Sequence, residues 1–187
     1  MFSGVTMSLL FEKNMAMKIF AACLWFMLCL GTSHAETRDA QEHFFNMTVG
    51  DLKGELAAAK DEGKNGIMIM YEMEDCPFCY RMRHTILNQS EVQDYYRKNF
   101  LIFTVDIRGD IPLEDFNGKA TTEKAFSLEH RVYGTPVFDF FDLNGELITR
   151  FPGTAKDVNE FLLLGKCVVE GACKDSSFTV YKRQQAK

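Results

Sequence analysis

Two cysteines separated by two residues, in Cys76-Pro77-Phe78-Cys79, are the side chains of this 187-residue sequence best suited to chemistry. They follow a strand-like apolar run, Gly66-Ile67-Met68-Ile69-Met70-Tyr71, and are placed to open a helix. A thiol at a helix start meets unpaired backbone N–H groups and the positive end of the helix dipole, and both stabilise a thiolate. Such sites lower a cysteine pKa from about 8.5 into a range of about 3.5–7.5. Cys76 is therefore expected to be the attacking thiol. Cys79, three residues on, is one helical turn deeper and can turn back to resolve a mixed disulfide. Pro77 fits the first turn, where its missing N–H has no intrahelical partner, and Phe78 offers a substrate an apolar contact. Farther along, Tyr133-Gly134-Thr135-Pro136-Val137 sets a proline at the head of a second apolar strand. A cis Thr135–Pro136 bond facing the cysteines would hold the Thr135 backbone free to pair with an extended substrate segment. The chemistry implied by the two halves together is thiol–disulfide exchange.

A resolving thiol needs a proton acceptor. Glu72, at the end of the strand before the cysteines, is the candidate for taking the Cys79 proton; the alternative is a solvated carboxylate with no such role. Glu74 and Asp75 should disfavour a Cys76 thiolate, working against the helix effect. Zinc would need a second Cys or His pair at ligand spacing, and His43, His84 and His130 are scattered. No metal and no cofactor are expected. A C-x-x-C copper chaperone using one distant histidine and a redox-silent binding module remain alternatives of other classes.

The elements that must position these residues read as follows. Leu52, Leu56 and Ala59 recur at helical spacing over Asp51 to Glu62, and Gly63 ends that helix. Residues 66–71 form a buried strand, and Cys76 to about Leu87 form the helix after it. Ser90-Glu91-Val92-Gln93 is a Ser-x-x-Gln capping box starting a helix to Arg97. Leu101 to Ile107 is a strand, and residues 108–120 are a loop or insertion. Thr121 or Thr122 caps a helix to His130. Val137 to Leu143 is a strand, Asn144-Gly145 a type I′ hairpin turn, and Glu146 to Phe151 the returning strand. Thr154 caps a last main helix, Ala155 to Leu164, closed by Gly165. The tail, 166–187, holds Cys167 and Cys173 on either side of Gly171 and ends on an aromatic segment. In an oxidising compartment these two should form a structural disulfide; two buried free thiols, or a second redox relay, are the alternatives. The element order matches an α/β thioredoxin fold. Its central sheet is mixed and flanked by helices, with the 66–71 and 101–107 strands parallel and the proline-led hairpin antiparallel.

Residues 1–35 read as a signal peptide. Lys13 and Lys18 precede an uncharged, mostly apolar stretch from Ile19 to Leu30, and Ser33-x-Ala35 is a small-x-small cleavage pattern. The apolar run is short of the roughly 20 residues a spanning helix needs. Cleavage after Ala35 removes Cys23 and Cys29 and leaves four cysteines, an even number that suits an exported chain. It also takes the formal charge from −5 to −6 by removing Glu12, Lys13 and Lys18. Residues 36–187 then form a single domain. No basic cluster suggests nucleic acid as a partner. A bacterial periplasm is the expected compartment.

The stretch Tyr71-Glu72-Met73-Glu74-Asp75-Cys76-Pro77-Phe78-Cys79 resembles exported thioredoxin-like proteins of the SoxW type. Asp106-Ile107-Arg108-Gly109-Asp110, Phe116-Asn117-Gly118, Thr135-Pro136 and Glu170-Gly171-Ala172 carry the same likeness, which covers nearly all of residues 36–187. The resemblance implies a periplasmic thiol–disulfide oxidoreductase acting on protein disulfides and thiols. It tilts the direction toward a reductant supplied by a membrane electron donor, with a disulfide oxidase or isomerase as the alternative. The chain has no spare length for a dimerisation domain, so a monomer is expected. Two departures stand out. Met70 occupies the position, six residues before the first active-site cysteine, where thioredoxins carry a buried Asp. Asp75 replaces the Trp that usually precedes that cysteine.

Overall fold

A computed structural model describes residues 36–185. The expected signal peptide lies outside them. The described elements, in chain order, are α1 (Ala40–His43), α2 (Leu52–Asp61), β1 (Gly66–Glu72), α3 (Pro77–Thr85), α4 (Ser90–Asn99), β2 (Phe100–Asp106), β3 (Pro112–Glu114) and β4 (Ala120–Thr122). They continue with α5 (Glu123–Glu129), β5 (Val137–Phe141), β6 (Leu147–Pro152), α6 (Val158–Val169), α7 (Ala172–Asp175) and α8 (Phe178–Gln185).

The main sheet has the order β2-β1-β5-β6. β1 runs parallel to β2 and antiparallel to β5, and β5 pairs antiparallel with β6, so the sheet is mixed as the sequence implied. Side chains alternate across β1 because a strand has a period of two. Met68 and Met70 face a core shared with α3, α4 and α6, whereas Ile67, Ile69 and Tyr71 face a second core shared with α2 and α5. Helices thus cover both faces, and β1 is buried along nearly its whole length. Among the described residues no helix is long and apolar enough to cross a membrane.

Several local expectations are corrected. Residues 108–120 are not structureless, since β3 and the start of β4 form an antiparallel pair there. Ser90 does not cap α4. Gln89 holds the cap position without a side-chain hydrogen bond, and the buried Gln93 instead donates from Nε2 to the carbonyls of Leu87 (2.9 Å) and Arg38 (3.0 Å). The β5–β6 turn is not type I′, which needs a positive φ at both central residues. Only Gly145 is left-handed there (φ 80°); its N–H donates to the Asp142 carbonyl (3.0 Å), and Asp142 Oδ1 accepts from the Asn144 N–H (2.8 Å).

The largest correction concerns α6. It is capped by Asp157, not Thr154, because the Asp157 carboxylate accepts from the Glu160 N–H (2.9 Å) while Glu160 accepts from the Lys156 N–H (2.6 Å). It also runs through Gly165 instead of stopping there. A Cβ on Gly165 would stand 2.7 Å from Tyr95 Cε1 and 3.1 Å from Tyr96 Cζ. Its glycine serves a close helix–helix approach, sealed by a Tyr96 hydroxyl that donates to the Phe161 carbonyl (2.6 Å).

Candidate active site

β1 ends at Glu72, and the turn Met73-Glu74-Asp75 delivers Cys76 to the N-cap of α3. Cys76 has extended backbone angles (φ −93°, ψ 104°), which lets its side chain fold back over the helix start. Its Sγ accepts from the Cys79 N–H at 3.1 Å, one of the helix donors with no carbonyl partner. Pro77 takes the first helical position. Cys76 and Cys79 are joined in a disulfide with Cα atoms 5.2 Å apart, and both are buried.

The Thr135–Pro136 bond is cis, as the sequence led us to expect. The Thr135 carbonyl oxygen lies 3.5 Å from Cys76 Sγ, so the proline loop stands directly against the first cysteine. The Pro136 carbonyl accepts from the Gly153 N–H (2.8 Å), tying that loop to the end of β6. Three exposed aromatic side chains belong to these segments: Phe78 between the cysteines, Tyr80 in the wall of their cavity and Tyr133 two residues before Thr135, 57%, 65% and 75% accessible. Tyr133 was not singled out from the sequence, although its place two residues before Thr135 was in plain view.

An open cavity of about 390 Å³ reaches the two cysteines and is lined also by Glu72, Glu74, Arg83 and Asp106. Glu72 is not a freely solvated carboxylate. Arg83 donates to it twice, from Nη2 to Oε1 (2.6 Å) and from Nε to Oε2 (3.1 Å), and both side chains are mostly buried. The same guanidinium donates to Gln41 Oε1 (2.8 Å) and lies 4.5 Å over the Phe45 ring. Asp106 is the β2 residue in register with Glu72. Behind them, burial, with a smaller push from the charges of Asp106 and Glu72, raises the Glu123 carboxyl above its ordinary value against a backbone hydrogen bond at Asp106 that lowers it. Sequence reasoning missed Arg83 and Asp106. Arg83 could have been found four residues after Cys79, on the same helical face.

Met70 is fully buried in the core that also holds Cys76 and Cys79, so no carboxylate occupies that interior position. A buried acid exists on the opposite face of the sheet: Asp139, in the apolar run of β5, is held by Arg150 through contacts of 2.7 and 2.6 Å. Arg150 also donates to the His130 carbonyl (2.8 Å). Burial and the Asp139 charge push the Tyr71 hydroxyl far above its ordinary range. This group lies across the sheet from the cysteines and braces β5 against β6 and the end of α5.

Cys167 in α6 and Cys173 in α7 form a second disulfide, buried in the core and spanning the left-handed Gly171 (φ 76°). Beside it the Tyr181 hydroxyl donates to Glu170 (2.7 Å), which pushes that hydroxyl up to about 12. Among the described residues no group of three or more His, Cys, Asp or Glu side chains is disposed to hold a metal ion. His84 stacks on Tyr80 at 3.8 Å, with Nδ1 2.8 Å from the Tyr80 carbonyl of its own helix.

Residues 52–166 match the family described as a thioredoxin-like domain. Among solved structures, the chain is similar to a thioredoxin-fold protein from Helicobacter pylori. The two are 16% identical, with 81% of this chain and 96% of that one covered at a TM-score of 0.60. A putative disulphide-isomerase from Bacteroides thetaiotaomicron is 22% identical over 68% of this chain and 95% of its own, at 0.52. A thioredoxin from Thermus thermophilus is 28% identical over 64% and 86%, at 0.50. No curated protein matches the chain.

Proposed function

The chain belongs to the thioredoxin-like domain family, and from that premise we propose that it is a thiol–disulfide oxidoreductase working through Cys76 and Cys79. The observation that carries this reading is the Cys76 sulfur at the N-cap of α3, 3.1 Å from the Cys79 N–H and 3.5 Å from the Thr135 carbonyl. In the reduced protein the Cys76 thiolate attacks one sulfur of a substrate disulfide and releases the other as a thiol. Cys79 then attacks Cys76 Sγ, so the second substrate thiol leaves and the Cys76–Cys79 disulfide remains. Two electrons and two protons pass to the substrate. Pro77, Phe78, Thr135 and Pro136 form the surface that meets the substrate, and Phe78 is exposed for an apolar segment. Glu72 receives the proton of Cys79 as it resolves.

The direction is reduction of protein disulfides. Glu72, Glu74 and Asp106 line the cysteine cavity against the single cation Arg83. A net negative field disfavours a thiolate, and therefore favours giving up electrons. A reductant of this kind in an oxidising compartment must be recharged, and a membrane electron donor fills that role. Signal-directed export to a periplasm and a place in the SoxW-type subgroup rest on the sequence, as does a monomeric state.

Two measurements test this. Cys79→Ser should trap substrates as mixed disulfides on Cys76. The Cys76–Cys79 reduction potential should fall nearer the reducing end, about −270 mV, than the oxidising end, about −120 mV. A potential at the oxidising end would favour the oxidase or isomerase reading, and failure to trap any mixed disulfide would remove the exchange role itself.

A further inference from the structure

The Glu72–Arg83 pair has no counterpart in the motif that pointed to the cysteines. Arg83 lies four residues after Cys79 and seven after Cys76, positions that share one face of a helix. It lines the same cavity as both sulfurs. Four interactions fix its guanidinium: two bonds to Glu72, one to Gln41 and the face of Phe45. Among the described residues, the charged groups that line the cavity with the cysteines are Glu72 from β1, Glu74 from the connecting turn, Arg83 from α3 and Asp106 from β2, with the exposed Asp75 next to Cys76 in the chain and Glu123 of α5 behind. Arg83 is the one cation among them. A fixed cation beside a sulfur stabilises its thiolate, and a carboxylate does the reverse. In a partly buried cavity solvent screens such effects less than at the surface.

We propose that Arg83 and Glu72 act as a matched positioning pair that sets the redox equilibrium of the Cys76–Cys79 couple. Arg83 holds the reduced form accessible against the surrounding carboxylates, and Glu72 limits how far it does so. The inference rests on Cys76 and Cys79 being the exchanging pair. The relevant equilibrium is protein disulfide plus two glutathione thiols going to protein dithiol plus glutathione disulfide, which balances in atoms, protons and electrons.

The test equilibrates the purified protein with glutathione buffers of graded ratio at pH 7 and quantifies the Cys76–Cys79 dithiol by alkylation and mass mapping. Arg83→Gln should lower the equilibrium constant for reduction at least about threefold, or about 14 mV more reducing by the two-electron relation. The pH inflection of Cys76 alkylation should rise with it. Glu72→Gln should shift both quantities the opposite way, and the double variant should return close to the wild type. Arg83→Lys, which keeps the charge, should recover most of the loss. Packing damage alone would not give opposite signs. Should Arg83→Gln fold poorly, Glu72→Gln carries the test, because Arg83 keeps its contacts with Gln41 and Phe45. Shifts of the same sign, or none beyond about twofold (about 9 mV on the same relation), would overturn the proposal. A wild-type protein whose Cys76–Cys79 pair never equilibrates with glutathione would overturn the underlying exchange reading as well.

Discussion

The protein carries two disulfides that look alike by the simplest measures and differ in everything that governs reactivity. Cys76–Cys79 and Cys167–Cys173 both have Cα atoms 5.2 Å apart, and all four cysteines are buried in one core. Burial therefore does not separate them. What does is the company of the sulfurs. Cys76 sits at a helix start, accepts a backbone N–H, touches the carbonyl before Pro136 and borders an open cavity rich in charge. Cys167 lies in the last turn of α6 and Cys173 in the four-residue α7, beyond a left-handed glycine that folds the chain back, and both sulfurs are spent on a bond that closes the tail. The first setting stabilises a thiolate and gives a substrate access; the second constrains the tail.

Exchanging single atoms should pull the two regions apart. The largest effect is expected from Cys76→Ser, which should drop insulin-disulfide reduction to the rate of the chemical reductant alone. Replacing Cys167 and Cys173 together by alanine should leave that rate unchanged. Next in size, the same alanine pair should cost about 2 kcal/mol in urea unfolding, since a loop this short gives up that much unfolded-chain entropy. Gly165→Ala, two residues before Cys167, should destabilise by about 1–3 kcal/mol through overpacking against Tyr95 and Tyr96, again with activity intact.

The smallest effect belongs to the charged side of the first region. Burial raises the proton affinity of Glu123 in the folded state, aided by Asp106 and Glu72. Its contribution to stability is therefore full below the ordinary carboxylate range and lost as pH rises through the elevated folded value. Glu123→Gln should raise the denaturation midpoint at pH 7 and give no gain near pH 3. An equal gain at both pH values would mean that charge is not the cause.

The parts of this molecule that were readable in advance are those where chemistry restricts residue type. Cys76, Cys79 and Thr135–Pro136 are short motifs with fixed spacing, and the strands of the mixed sheet stand out as apolar runs of strand length. The misread features depend on what packs against them. Gly165 looks like a helix stop in one dimension and is a contact point in three, because the rings of Tyr95 and Tyr96 come from another helix. Ser90 and Gln93 fit a capping pattern, yet burial sends the Gln93 amide to the carbonyls of Arg38 and Leu87. The Glu72–Arg83 pair joins a strand end to a helix 11 residues on, and nothing in local spacing distinguishes it from two solvated charges. Asp139 was hidden in an otherwise apolar strand until its partner Arg150 appeared on β6.

The most direct measurement of the central claim sets the two disulfides against each other in one molecule. The oxidised protein is exposed to a graded series of glutathione ratios at neutral pH, quenched by alkylation and mapped by mass. Cys76–Cys79 should open first, with Cys76 alkylated faster than Cys79 and Cys167–Cys173 still closed. If Cys167–Cys173 opens as readily, or Cys76 and Cys79 react at equal rates, the account of a single exchange site at the start of α3 is wrong.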